Sequence, residues 1–407
     1  MSVTKAAKRL TSRVPEMELP LHKGDSPWDV FGDSSESAPP PRWNLVSLFS
    51  GCGGADLGFH FAGFKTLWAN DINIDAAETF RGNLGPITVS DITKTPLPTF
   101  EKKIDVLAAG FPCQPFSNAG SRLGLEDTRG TLFYDALKAV EHFNPRVVLF
   151  ENVRGLLSFN NGPHPLVQSI CEALVDLNYH PVFKLVDASD HRVGQRRLRL
   201  IIVGVKNAKM AKRVFPAASD KTGLSIGQVL GGLHPKSHNQ NERILLNPQA
   251  VALGTRVPEG GSWKNIADEH LPERLKKLRK DIKKYRWPNF YRRFHRDEVA
   301  GTVTAAFKPE NAAVWHPVHG GVMSVREIAR IQSFPDWFVF SGRTVKSKYA
   351  QIGNAVPPRL AYELGRRIGS LLSHKSVPPG PHMTFEHFLA LGRPYRPSDP
   401  PVVYRGS

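Results

Sequence analysis

From Asn44 onward, short apolar runs alternate with longer amphipathic stretches. The runs are "NLVSLF", "KTLWAN", "PITVSD", "IDVLAAG", "RVVLFEN", "HPVFKLVD" and "RLIIVGV". Most are β-branched or aliphatic and are followed by turn residues, the pattern of strands covered on both faces. Between them, "RGTLFYDALKAVEHF" and "PLVQSICEALVDLN" carry helical spacing and suit crossover helices. The alternation predicts an α/β fold with a doubly wound, mostly parallel sheet. After Val205 it fades, and residues 216–345, rich in Gly, Pro, basic and aromatic side chains, read as a second, smaller domain. Within it, "PERLKKLRKDIKKY" puts Leu275, Leu278, Ile282 and Tyr285 on one helical face. "YAQIGNAVPPRLAYELGRRIGSLL" then resumes strong helical periodicity, so residues 346–373 return to the first domain, 43–215. Residues 1–42 show no sustained apolar period and read as a mobile extension, and the proline-rich residues 374–407 read as a tail.

Composition narrows the class. An apolar content of 41% over 407 residues is ample for a core. No uninterrupted apolar run reaches the roughly 18 residues of a membrane span, and no signal peptide opens the chain, so a cytosolic protein is expected. Three cysteines, Cys52, Cys113 and Cys171, have no CxxC spacing, which argues against a disulfide framework or structural zinc. Cys171 sits inside a helical pattern and reads as a small buried hydrophobe. The net charge is +17, and its excess is concentrated between Lys264 and Arg296, where twelve basic and four acidic residues surround Trp287, Phe290, Tyr291 and Phe294. That mixture suits a polyanion.

Candidate chemistry gathers where strands end. "LFSGCGGADLGF" places Gly51, Gly53 and Gly54 at a strand-to-helix turn, where a ligand can approach the backbone. It is neither GxGxxG nor a Walker loop. Asp71 and Asp91 follow the second and third strands, positions suited to a ribose and an adenine amino group; a helix N-cap accounts for either one equally well. Cys113, between Pro112 and Pro115, follows the fourth strand, and Glu151 lies 38 residues later at the end of the fifth. In "QRRLRL", alternation is expected to send Arg197 and Arg199 to one face of a strand. Thiol, carboxylate and paired arginines at one sheet edge make a site for activating an electron-poor heterocycle.

These motifs, in this order over residues 44–372, resemble the DNA cytosine-5 methyltransferases of bacterial type. "LFSGCGGADLGF" is similar to their cofactor loop, "GFPCQPFS" to the nucleophile loop, "ENVRG" to the acid motif, "QRRLRL" to the arginine motif, and "SVREIARIQSFP" and "QIGNAVPP" to the motifs around the return. The resemblance implies a Rossmann-like methyltransferase domain with residues 216–345 as target-recognition domain. It also implies S-adenosylmethionine as cofactor, double-stranded DNA as partner, a bacterial or phage source, and no metal. Cys113 would add to carbon 6 of a flipped cytosine, Glu151 would bond its N3 edge, and Arg199, with Arg197 beside it, would hold its carbonyl oxygen. Phe49, Gly51, Gly53, Gly54, Asp71, Asp91, Ile92, Pro112, Asn354 and Val356 would hold the cofactor, and "SNAGSRLGLEDTRG" would close over the base. Ser47, acidic in many members, and Asp71, often glutamate, depart from the family pattern. The same reading carries a monomer as expectation, and either a separately acting restriction endonuclease or an orphan methylase. It leaves open an RNA cytosine-5 methyltransferase or a non-catalytic DNA-binding regulator.

Overall fold

A computed structural model describes residues 35–112, 131–161, 164–217, 223–280, 290–309, 312, 314–373 and 377–404. The predicted strands form one sheet: β1 (Trp43–Leu48), β2 (Phe64–Asp71), β3 (Thr88–Val89), β4 (Val106–Ala109), β5 (Val147–Val153), β6 (His180–Asp187) and β7 (Leu198–Val205). Two short strands from the far end of the chain, β8 (Met383–Thr384) and β9 (Val402–Val403), extend it, giving the order β8-β9-β6-β7-β5-β4-β1-β2-β3. β3, β2, β1, β4 and β5 run parallel, whereas β7 is antiparallel to both neighbours, β5 and β6.

Side chains alternate to the two faces, as the pleat requires. Val46, Leu107, Val148, Phe183 and Ile202 pack beneath α3 (Thr131–Phe143) and α4 (Leu166–Asp176). Leu45, Val106, Leu149 and Ile201 pack beneath α1 (Gly54–Phe61) and α10 (Pro358–Leu372). Between these in the chain lie α2 (Ile74–Leu84), α5 (Ile226–Leu230), α6 (Pro248–Gly254), α7 (Glu273–Lys280), α8 (Val325–Ile331) and α9 (Val345–Asn354). The starts of these helices are chemically marked. Asn73 caps α2, Ser324 and Glu327 form a capping box on α8, and Pro358 opens α10.

The return helix lies close on α1. A Cβ at Gly58 would stand 2.4 Å from the Pro358 carbonyl oxygen and 2.5 Å from the Tyr362 amide nitrogen, backbone atoms that cannot swing aside. Gly58→Ala is therefore expected to destabilise the chain by about 1–3 kcal/mol through overpacking. A lowered unfolding midpoint in a thermal melt checks this, and an unchanged midpoint would mean the helices slide apart freely.

Apolar packing joins the units read in the sequence. Residues between Leu224 and Leu246 and between Phe294 and Phe340 share one apolar cluster with Cys52, Leu57 and Phe61 of the first unit and with α9. Among the described residues, a separate small core comprises Ala250, Leu253, Val257, Trp263, Ile266, Leu271, Leu275, Phe290 and Tyr291, with Leu246 and Leu278 packed against it. Phe290, Tyr291 and Phe294 are thus buried, and Phe290 meets Trp263 edge to face. Among the described residues, the aromatic side chains read as interleaved with the basic patch are core, while Lys264, Arg274, Lys277 and Lys280 stay exposed. Leu275 is buried and Leu278 packs beside it, as the helical spacing predicted; Ile282, Tyr285 and Trp287 lie outside the described residues.

Residues 377–404 are folded onto the sheet edge, with α11 (Phe385–Leu389), Tyr395 and Tyr404 packed around Phe183. Arg393 pairs with Asp399 at 2.6 Å and fixes the proline-rich turn between them. Of the N-terminal extension, only residues from Ser35 are described.

Candidate active site

The carboxyl ends of β1, β2, β4 and β5 open into a cavity of about 970 Å³. It is lined by Phe49, Gly51, Gly54, Asp71, Asp91, Ile92, Pro112, Glu151, Arg199, Asn354 and Val356, eleven residues singled out from the sequence. Cys113 and the segment through Gly130 lie outside the described residues. Gly53 and Arg197 are not on the cavity wall.

The floor is the turn between β1 and α1. Phe49, at φ 54°, and Gly51, at φ 56°, both adopt left-handed backbone, and Phe49 pays strain for it as residues at ligand sites often do. Gly53, at φ 89°, serves the turn itself, since a Cβ there would collide with Leu84 and Phe80. Asp71 ties the turn to β2: Oδ2 accepts from the Gly51 amide at 2.7 Å and Oδ1 from the Asn73 amide at 2.7 Å. Burial holds its carboxyl above the usual range, against those two hydrogen bonds. The N-cap of α2 is Asn73, not Asp71. Asp91 accepts from the Thr93 hydroxyl at 2.8 Å and amide at 3.1 Å, which lower its carboxyl. Ile72, 67% exposed although apolar, also borders the cavity; its signal in the sequence was only its place beside Asp71.

On the opposite wall, Arg199 Nε donates to Glu151 Oε1 at 2.6 Å, with both side chains largely buried. Register explains the meeting, because Arg199 pairs with Val153 across β5 and β7, one diagonal step from Glu151. Gly110 leaves room beside Glu151 Oε2. Asn152 Nδ2 donates to the Phe111 carbonyl at 3.2 Å, anchoring the backbone that leads through Pro112 to Cys113.

Arg197 departs from the expectation of paired arginines. β7 begins only at Leu198, so strand alternation does not extend to it. Its guanidinium, 1% exposed, donates to the carbonyls of Val303 at 2.9 Å, Gly353 at 2.7 Å and Ala355 at 3.1 Å. Gln332 Nε2 donates to Ile352 and Ala355, Gln195 Oε1 accepts from the Val303 amide, and Gln195 Nε2 donates to Gln332 Oε1. This buried polar cluster clamps the loop presenting Asn354 and Val356; nothing in the sequence distinguishes such glutamines from exposed ones. Burial, then repulsion from Arg199, pushes Arg197 well below the ordinary arginine range.

The wall suits a cationic nucleoside cofactor better than a phosphate. It combines apolar Phe49, Ile72 and Ile92 with the carboxylates of Asp71 and Asp91, and the arginine it offers is already paired with Glu151. One group of possible metal ligands among the described residues, His316, His319 and Glu327, lies away from the cavity. Its two imidazoles stack nearly parallel at 3.7 Å, so their in-plane lone pairs do not converge. No described helix is long and apolar enough to cross a membrane.

A cavity at the carboxyl edge of a doubly wound sheet, walled by an acid–arginine pair, places the chain among α/β proteins that bind their ligands at that edge. Within that class, residues 43–370 match the family model of the C-5 cytosine-specific DNA methylases. The chain belongs to that family and is a DNA cytosine-5 methyltransferase, and membership implies S-adenosylmethionine as methyl donor. It is 36% identical over 347 residues to the Type II methyltransferase M.Eco47II of Escherichia coli, covering 81% of this chain and 79% of that one. It is 34% identical to M.NgoFVII of Neisseria gonorrhoeae, over 84% and 89% of the two chains. A solved structure of mutant Spodoptera frugiperda DNMT2 superposes with a TM-score of 0.55 at 16% identity, over 81% of this chain and 100% of that one, a likeness of fold.

Proposed function

We propose that this enzyme methylates carbon 5 of a cytosine flipped out of a specific double-stranded DNA sequence, by covalent catalysis through Cys113. The observation that carries the reading is the Glu151–Arg199 pair at 2.6 Å, facing the cavity beside the backbone that leads to Cys113. A stacked base exposes neither face to a nucleophile, so the cytosine leaves the helix first. The Cys113 thiolate adds to carbon 6, and Glu151 hydrogen-bonds N3 and the exocyclic amine as charge builds on the ring. Arg199 holds the carbonyl oxygen and, by its charge, favours the thiolate. Arg197 acts at one remove, by positioning the loop of Asn354 and Val356. Carbon 5, made nucleophilic by that addition, would take the methyl group that S-adenosylmethionine supplies, leaving S-adenosylhomocysteine; loss of the carbon 5 proton to a base and expulsion of the Cys113 thiolate would then restore the ring double bond.

The described cysteines support this assignment. Cys52 and Cys171 are buried, and burial pushes the Cys52 thiol up to about 12 and Cys171 higher still, so neither offers a thiolate at neutral pH. Phe49, Gly51, Gly54, Asp71, Asp91, Ile92, Pro112, Asn354 and Val356 hold S-adenosylmethionine, the cofactor that supplies the methyl group, and Gly53 shapes the turn beneath it. The exposed Lys264, Arg274, Lys277 and Lys280 meet DNA phosphates, with residues 216–345 as the target-recognition domain. The protein acts as a monomer, as the modifying partner of a restriction system.

Bisulfite sequencing of plasmid from cells expressing the intact chain is expected to show protected cytosines at one recurring short sequence. The Cys113→Ala chain is expected to show none. Protection that persists with Cys113→Ala would remove the nucleophile assignment, and absence of protection with intact, folded chain would remove the DNA target.

A further inference from the structure

Asp56 lies in the first turn of α1 with 1% of its surface exposed. Its Oδ2 accepts from Ser47 Oγ at 2.8 Å and its Oδ1 from Thr66 Oγ1 at 3.1 Å. Among the described residues no arginine, lysine or histidine pairs with it. A buried carboxylate without a cation is costly, and the amides of a helix N-terminus offset only part of that cost. Burial raises its carboxyl to about 6, so it is still ionised at neutral pH. Because the folded chain binds that proton more tightly than the unfolded chain does, ionisation above this value counts against the fold.

The charge is directed at the cavity. Ser47 and Ser50 both line it, and a hydroxyl has one proton to give. Ser47 gives its proton inward to Asp56, while Ser50 directs its own at the Ser47 carbonyl, 3.0 Å, and hydroxyl, 2.9 Å. Both serine oxygens are thereby left as acceptors toward the ligand, an electron-rich patch that repels a phosphate and attracts a cation.

Resting on the reading that this cavity holds the S-adenosyl cofactor, we infer that Asp56, acting through Ser47, is the counter-charge for the cofactor's cationic methionyl end. It is a positioning residue, since it does not itself line the cavity. The cation is either the α-ammonium, shared by S-adenosylmethionine and S-adenosylhomocysteine, or the sulfonium, present only in the first. Replacing Asp56 by asparagine removes the charge and obliges one of the two hydroxyls to accept instead of donate; where that hydroxyl is Ser47's, its proton turns toward the ligand.

The test is titration calorimetry of the full chain with each ligand at neutral pH, beside thermal unfolding without ligand. Asp56→Asn is expected to weaken S-adenosylmethionine roughly 10- to 100-fold and to leave the unliganded melting temperature equal or higher. An equal loss for S-adenosylhomocysteine assigns the charge to the ammonium, and a smaller loss assigns it to the sulfonium. Ser47→Ala, which breaks the relay but keeps the carboxylate, is expected to give part of the loss and serves alone if Asp56→Asn does not fold. Affinity within twofold of the intact chain in either variant overturns the inference, as does a loss matched by an equal fall in unliganded stability. Failure of the intact chain to bind either ligand overturns the cofactor reading, and this inference with it.

Discussion

A Glu151→Gln chain is expected to fold, to bind cofactor and DNA, and to transfer methyl groups at least about a hundredfold more slowly than the intact chain. The amide keeps the shape of the side chain and an oxygen for Arg199 Nε, now 2.6 Å from the carboxylate. What it removes is the negative charge that favours a protonated cytosine N3 and offsets Arg199. With it goes the two-sided recognition in which one carboxyl group faces both N3 and the exocyclic amine. Single-turnover transfer of labelled methyl groups into saturating DNA separates this loss from binding. A rate within tenfold of the intact chain would show that the ring is activated without Glu151.

Arg197→Met is expected to lose about 1–3 kcal/mol of stability, read as a lowered denaturation midpoint, and to weaken cofactor binding as well. The guanidinium serves three carbonyls at once, of Val303, Gly353 and Ala355, and water cannot readily replace it where the side chain is 1% exposed. Methionine fills much of the volume but takes this donor from the Val303 and Gly353 carbonyls, while Ala355 keeps Gln332. The loop bearing Asn354 and Val356 then loses an anchor that Gln332 alone must supply. A stability loss under about 1 kcal/mol would mean the clamp is redundant. Unchanged cofactor affinity beside a large stability loss would confine Arg197 to folding.

The central strands were legible because parallel strands covered on both faces must be apolar almost throughout, and seven such runs stand clear of their flanks. Sites at strand ends followed from the same logic, which is why Asp71, Asp91, Glu151 and Arg199 meet in one cavity. Arg197 was misplaced because spacing shows alternation but not the residue at which a strand begins. The packing of the tail was hidden because Phe385, Tyr395, Val402 and Tyr404 are scattered among prolines with no period, so their burial is decided by Phe183, some two hundred residues away. Phe290 and Tyr291 looked like part of a nucleic-acid surface because composition records which residues are neighbours in sequence, not which of them face inward. Asp56 carried the ordinary signature of an acidic first turn, and only the hydroxyls converging on it show its setting.

The two-residue β9 pairs with Val182 and Phe183 of β6 across a gap of more than two hundred residues. During synthesis, therefore, β6 leaves the ribosome long before the segment that shields its outer side. In that interval the growing chain carries an open hydrogen-bonding edge rich in valine and phenylalanine, the kind of surface on which neighbouring nascent chains can pair. The proline-rich segment read as a tail is the piece that seals that edge.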